Sequence, residues 1–187
     1  ATNLGAGFSN INTFVGGAGS DTLTGDNSAN TWNVTGSNSG NIDTNVTFFS
    51  AIENIVGGTG GDTFNLGGNL TSVTGNGSDV LNYTAGTIGA ITMNSTTQIN
   101  SGTVVTTGSQ TYTGAVTLNN GVSLSTTNSA ISFGSTVDSL TSARDLTLAT
   151  GSGAITLGGE MGGTLALNDF TATNTGATND IVIAFDV

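Results

Sequence analysis

Apolar residues along this chain recur in pairs two positions apart. Ile91 and Met93, Val116 and Leu118, Val122 and Leu124, Ile131 and Phe133, Leu146 and Leu148, Ile155 and Leu157, and Leu165 and Leu167 all keep this spacing, as do Ile181, Ile183 and Phe185. A period of two puts each pair on one face of a short strand and turns the Thr or Ser between them outward. Gly- and Asn-rich turns separate these strands. No segment carries the i, i+3, i+4, i+7 apolar face of a helix. The pattern predicts an all-β chain of short strands.

The strands are organised by repeats. Residues 8–22, Phe-Ser-Asn-Ile-Asn-Thr-Phe-Val-Gly-Gly-Ala-Gly-Ser-Asp-Thr, return at 49–63 with nine of fifteen positions identical and a constant offset of 41. In the second half, Gly89-Ala90-Ile91-Thr92-Met93 reappears at 114–118, 129–133 and 153–157, with alternate copies 40 and 39 residues apart. Short strands with two inward residues, returning at a fixed period, predict a parallel β-solenoid of the β-helix or β-roll kind. Two rungs per super-period give roughly nine rungs and a rod on the order of 45 Å long. The local motif changes near Gly86, which divides the chain into a 1–85 part of degenerate nonapeptides and an 86–187 part built on the Gly-Ala-Ile/Val-Thr-Met/Leu unit. A β-sandwich is the alternative, since it too alternates short strands; the 41-residue near-copy favours the solenoid.

Composition narrows the chemistry. Thirty Gly, 35 Thr, 22 Asn and 19 Ser fill more than half of the 187 positions, and only 7% are charged. An ordinary domain carries roughly 25% charged residues, so hydroxyls and amides solubilise this one. Abundant β-branched and regularly placed aromatic residues oppose disorder of the whole chain. With no His and no Cys, zinc and haem lose their usual ligands, and His- or Cys-based catalysis is excluded. The twelve acids are spread along the chain with a single base, Arg144, so no clustered carboxylate pair suggests a glycosidase and no enzyme is expected. A net charge of −11 repels phosphate backbones, which argues against a nucleic-acid partner. No apolar run of about 18 residues is present, so no membrane span is expected. The chain begins at Ala1 without a signal-peptide pattern, as a processed protein or a fragment would.

Gly16-Gly17-Ala18-Gly19-Ser20-Asp21-Thr22-Leu23-Thr24 fits the nonapeptide G-G-x-G-x-D-x-U-x, in which U is a large apolar residue. Glycines permit a tight loop, the Asp supplies a hard oxygen and U anchors the next strand. Framing on nine residues puts Asn12 and Phe14, Asn30 and Trp32, Glu53 and Ile55, Asp62 and Phe64, and Thr71 and Val73 in the D and U places; a one-residue slip adds Asp79 and Leu81. Trp32, at a U place, is expected to pack inward rather than serve as a sugar platform. These units resemble bacterial RTX-type β-roll proteins. The phrases Phe49-Ser50-Ala51-Ile52-Glu53-Asn54-Ile55-Val56-Gly57-Gly58, Thr31-Trp32-Asn33-Val34-Thr35-Gly36 and Gly108-Ser109-Gln110-Thr111-Tyr112-Thr113-Gly114-Ala115-Val116-Thr117-Leu118 are similar to stock phrases of the giant secreted adhesins of the filamentous haemagglutinin type.

The resemblance implies a non-enzymatic structural or adhesive solenoid at the bacterial cell surface or in an extracellular filament, sheath or matrix, with a host-surface or matrix partner. Its alternative implication is a calcium-binding RTX-type module. In RTX rolls each ion lies between loops two nonapeptides apart on one edge, which here singles out Asp62 with Asp79. Asp21 is the weaker candidate, because its same-edge neighbours carry no matching loop. No other cofactor is implied. End-to-end self-association, or embedding in a longer array, is expected because neither Ala1–Gly7 nor Asp180–Val187 reads as a cap.

Overall fold

The computed structural model describes residues 12–43, 46–176 and 181–184, and every regular element among them is a β-strand. The chain opens with β1 (Thr13–Val15) and β2 (Thr22–Thr24). It then spends β3 (Thr31–Gly36), β4 (Ser39–Ile42) and β5 (Val46–Ser50) on a meander in which β4 runs antiparallel to both neighbours. Asn38, at the β3–β4 turn, takes a φ of 53°, a left-handed conformation that Asn tolerates better than most residues. From there the chain winds in one direction. β6 (Asn54–Val56), β7 (Thr63–Leu66), β8 (Leu70–Gly75), β9 (Asp79–Tyr83), β10 (Ile88–Met93) and β11 (Thr97–Ile99) alternate between two sheets.

Past Ile99 each coil gains a third strand. The sets are β12 (Thr103–Thr106), β13 (Gln110–Tyr112) and β14 (Val116–Leu118), then β15 (Val122–Thr126), β16 (Ile131–Phe133) and β17 (Val137–Ser139). β18 (Arg144–Ala149) and β19 (Ile155–Leu157) follow, and Met161 bridges to Val137. β20 (Leu167–Thr173) and β21 (Ile181–Ile183) complete the described stack.

The result is a parallel β-solenoid. One sheet stacks β3, β7, β9, β11, β14 and β17 in parallel, about six coils; the other carries β2, β6, β8, β10, β13, β16, β19 and β21. At ~4.8 Å per level the second stack is on the order of 34 Å long. The number of coils is below the roughly nine that the repeat suggested. The meander adds β4 and β5 to one sheet between β3 and β1 without completing further coils, and the later coils are longer than a half-period. Ile55, Val73 and Ile91 stand one above the next at eighteen residues per coil, whereas Ile131 to Ile155 takes twenty-four and Ile155 to Ile181 twenty-six.

The 41-residue near-copy also has a different meaning from the one its offset suggests. Leu23 pairs with Ile55 and Trp32 with Phe64, an offset of thirty-two. The near-copy is therefore shifted from the stacking register by one nonapeptide, which is half a coil. Asp21 leads into the sheet that contains β2, and Asp62 into the sheet that contains β7. Identical phrases thus occupy opposite edges.

The widening has a local cause. β10 pairs through Ile88 with Thr106 and through Ile91–Met93 with Gln110–Tyr112, so residues 107–109 are inserted as a corner between two halves of one strand position. Buried threonines close that corner coil after coil. Thr106 donates its hydroxyl to the Gly108 carbonyl, Thr126 to that of Ser129, and Thr150 to that of Gly153. Each buried hydroxyl is thereby satisfied within its own turn.

The core is one cluster running from Leu23 to Leu157. Ile91, Met93, Val116, Leu118, Ile131, Phe133, Ile155 and Leu157 all point into it, as the period-two pattern requires. Trp32 is fully buried, stacked on Phe64 at 6.2 Å and edge-on to Phe49 at 6.4 Å, a packing role. Leu165 and Leu167 are only half-buried, and Ile181 and Ile183 are exposed, because no described level covers them. Phe185 lies outside the described residues. No helix among the described residues is long and apolar enough to cross a membrane.

Candidate functional site

The D places of the nonapeptides fall on two edges of the solenoid, where a strand begins. Asn30 and Asp62 stand just before β3 and β7 and Asp79 opens β9, all three buried, while the U residues Trp32, Phe64 and Leu81 that follow two positions later anchor the strands inside. On this edge each aspartate serves the coil before it. The main-chain N–H of Asn30 donates to Asp62 Oδ1 at 2.8 Å, and the N–H of Asp62 donates to Asp79 Oδ1 at 2.9 Å. One coil further on, Thr97 stands opposite Asp79, and the N–H of Asp79 turns to the Thr96 carbonyl at 2.9 Å. The carboxylates thus supply acceptors where the chain rounds a corner.

Each of these aspartates has a second oxygen with no donor. Asp62 Oδ2 and Asp79 Oδ2 are both buried and unpartnered. They lie against the first glycine of their own loops: a Cβ on Gly57 would fall 2.2 Å from Asp62 Oδ2, and one on Gly75 2.1 Å from Asp79 Oδ2. Burial in this setting disfavours charge. Desolvation pushes Asp79 up to about 6, against hydrogen bonds from the main chain of Asp62 and Gly77 that pull the other way. Desolvation also raises Asp62, and the negative charges of Asp26 and Asp43 add to it. Asp26 itself is lowered, chiefly by the Ser28 main-chain N–H and then by the Asn30 amide.

These shifts set a pH dependence. Between the ordinary carboxylate value near 3.8 and about 6, folded Asp79 holds a proton that the unfolded chain has released. Stability is therefore greatest in the acid part of that window and falls as pH rises through about 6. The expected loss at Asp79 is on the order of 1–2 kcal/mol after solvent screening. Asp79→Asn should remove most of this slope and raise the melting temperature at neutral pH, since Asn30 already fills an equivalent place. Melting curves across the window check this; an unchanged slope in the variant would count against it.

Asp21 is placed apart from the pair. It leads into β2, accepts the Gly17 N–H at 2.7 Å within its own loop, and donates its main-chain N–H to Glu53 Oε2 at 2.8 Å. Glu53 also accepts from the Asn38 side chain at 2.8 Å, tying the hairpin turn to the stack. The structure thus brings Asp62 and Asp79 onto adjacent coils and leaves Asp21 with Glu53 on the other edge. Among the described residues, no group of three or more acidic side chains is arranged to hold a metal ion.

Two polar features carry no motif. Asn33, Asn65 and Asn82 form an amide ladder along β3, β7 and β9, with Nδ2 to Oδ1 distances of 2.8 and 2.7 Å. Gln110 is buried in a core column between Ile91 and Ile131, and its Nε2 donates to the carbonyls of Val104 at 3.2 Å and Ser125 at 3.0 Å. Its Oε1 accepts from Tyr112. The signal for Gln110 was a polar residue at an inward place of the repeat, at the level where the coil widens. Comparison with protein-family models, with curated proteins and with solved structures gives no match for this chain.

Proposed function

We propose that this chain is a non-enzymatic structural or adhesive β-solenoid of an extracellular bacterial surface protein, filament, sheath or matrix. The observation that carries the reading is the exposure of core-column residues on the last described strands. The core columns Leu146–Phe170, Ile155–Ile181 and Leu157–Ile183 run out at β20 and β21, where Phe170, Ile181 and Ile183 are exposed, the last at 55%. Strand edges with apolar side chains on them invite another strand. A further coil with the same inward columns would complete these faces, whether it belongs to a longer array or to a second copy.

Sedimentation and negative-stain microscopy over a concentration series test this reading. Rods longer than one stack are expected, and Ile181→Asp with Ile183→Asp should return single particles without lowering the melting temperature. A monomer that persists at high concentration would remove the self-associating form of the reading.

A second reading, a calcium-binding RTX-type module, is supported by the paired orphan oxygens of Asp62 and Asp79. Their donor chemistry suits a hard cation, and calcium takes six to eight oxygens, so loop carbonyls would have to supply most of the shell. On this reading calcium raises the melting temperature, by the equivalent of about 2.7 kcal/mol at a hundred times its dissociation constant. Asp62→Ala with Asp79→Ala abolishes that rise, and Asp138→Ala does not. Identical melting curves in chelator and in calcium would end this reading.

A further inference from the structure

The chain contains two Asn–Gly steps, Asn76–Gly77 and Asn120–Gly121, and the fold treats them in opposite ways. An Asn followed by Gly is the step most open to attack by the next main-chain nitrogen on the side-chain amide, because no Cβ obstructs the approach.

Asn76 is fastened at both ends of its amide. Its Nδ2 donates to the Gly57 carbonyl at 3.0 Å, and its Oδ1 accepts from Asn94 Nδ2 at 2.8 Å. Gly77 is itself buried, under the Gly60 carbonyl of the coil before. Ring closure there would have to break two side-chain hydrogen bonds to neighbouring coils.

Asn120 and Gly121 are both exposed, in the turn from β14 to β15. The Asn120 side chain is held through its Nδ2 alone, to the Asn100 carbonyl. The turn is roomy: a Cβ on Gly121 would meet nothing closer than 3.7 Å.

We propose that Asn120–Gly121 is a self-modification site at which this protein deamidates in the folded state, while Asn76–Gly77 is protected by the fold. The Gly121 nitrogen forms a bond to Asn120 Cγ, the Cγ–Nδ2 bond breaks, and Nδ2 leaves as ammonia carrying the proton from the Gly121 N–H. Water then opens the five-membered imide. Attack at the side-chain carbonyl leaves Asp, and attack at the main-chain carbonyl leaves isoaspartate. No oxidant or reductant takes part. Either product adds one negative charge to a chain already at −11, and isoaspartate lengthens the main chain of a turn whose strands are fixed in register on both sides. This inference is independent of the proposed function.

The test is prolonged incubation of the folded protein in mildly alkaline buffer, with peptides spanning residues 66–86 and 100–131 followed by mass spectrometry and isoaspartate marked by enzymatic methylation. Conversion at Asn120 should outrun that at Asn76, and Gly121→Ala, which the turn accommodates, should suppress it. In denaturant the two sites should convert at similar rates, which assigns the difference to the fold. An unchanged Asn120, equal conversion of both sites in the folded protein, or conversion unaffected by Gly121→Ala would overturn the proposal.

Discussion

Leu118→Asp is expected to lower the unfolding free energy on the order of 4 kcal/mol. Leu118 is fully buried on β14, with Ile99 beside it on one side and Ser139 on the other in the parallel ladder. Replacement removes the packing of a complete Leu side chain and buries a carboxyl beside a Ser139 hydroxyl that already donates to the Ala166 carbonyl, so cavity and desolvation costs add. Domains are typically stable by 5–15 kcal/mol, so the variant should unfold at a much lower denaturant concentration. Leu118→Met, which keeps volume and apolarity, should cost less than about 1.5 kcal/mol. Urea unfolding of both variants separates orientation from general sensitivity. A parental midpoint for Leu118→Asp would show that this face is not the interior.

Gly77→Ala should cost about 3 kcal/mol or more, while Gly121→Ala stays near the parent. The added methyl at Gly77 would lie 1.7 Å from the Gly60 carbonyl oxygen, a main-chain atom of the preceding coil. Hydrogen bonds on both sides fix the spacing between coils, so neither can withdraw to make room. Gly58 faces a similar limit, since a methyl there would sit 1.5 Å from the Asp26 carbonyl oxygen. Clearance between stacked turns therefore accounts for these glycines of the nonapeptide without any ion. Circular dichroism melts of the two variants read the contrast, and equal melting temperatures would refute it.

The aspartates were legible as a class and not in detail. The RTX resemblance picked out Asp62 and Asp79 as same-edge neighbours, and they are neighbours, because seventeen residues make one coil on that edge. Spacing could not show that one oxygen of each would accept a main-chain N–H while the other is shut in behind a glycine. Glu53 filled a D place in the sequence frame, yet its bonds to Asp21 and Asn38 depend on a hairpin that no repeat announces.

Strand character, the inward residues and the parallel winding were all readable along the chain. They follow from local alternation and from repetition, which need no knowledge of distant contacts. How the copies stack is a property of the folded molecule. Whether Leu23 meets Ile55 or a residue nine positions on depends on how many residues the β3–β5 meander takes up before the winding resumes. The passage from two strands per coil to three was likewise hidden, since an inserted corner at 107–109 resembles any other Thr-Gly turn until Thr106 and Gln110 are seen buried against the coils on either side. Alternation depends on each residue and its near neighbours, whereas register depends on the summed length of everything between two strands.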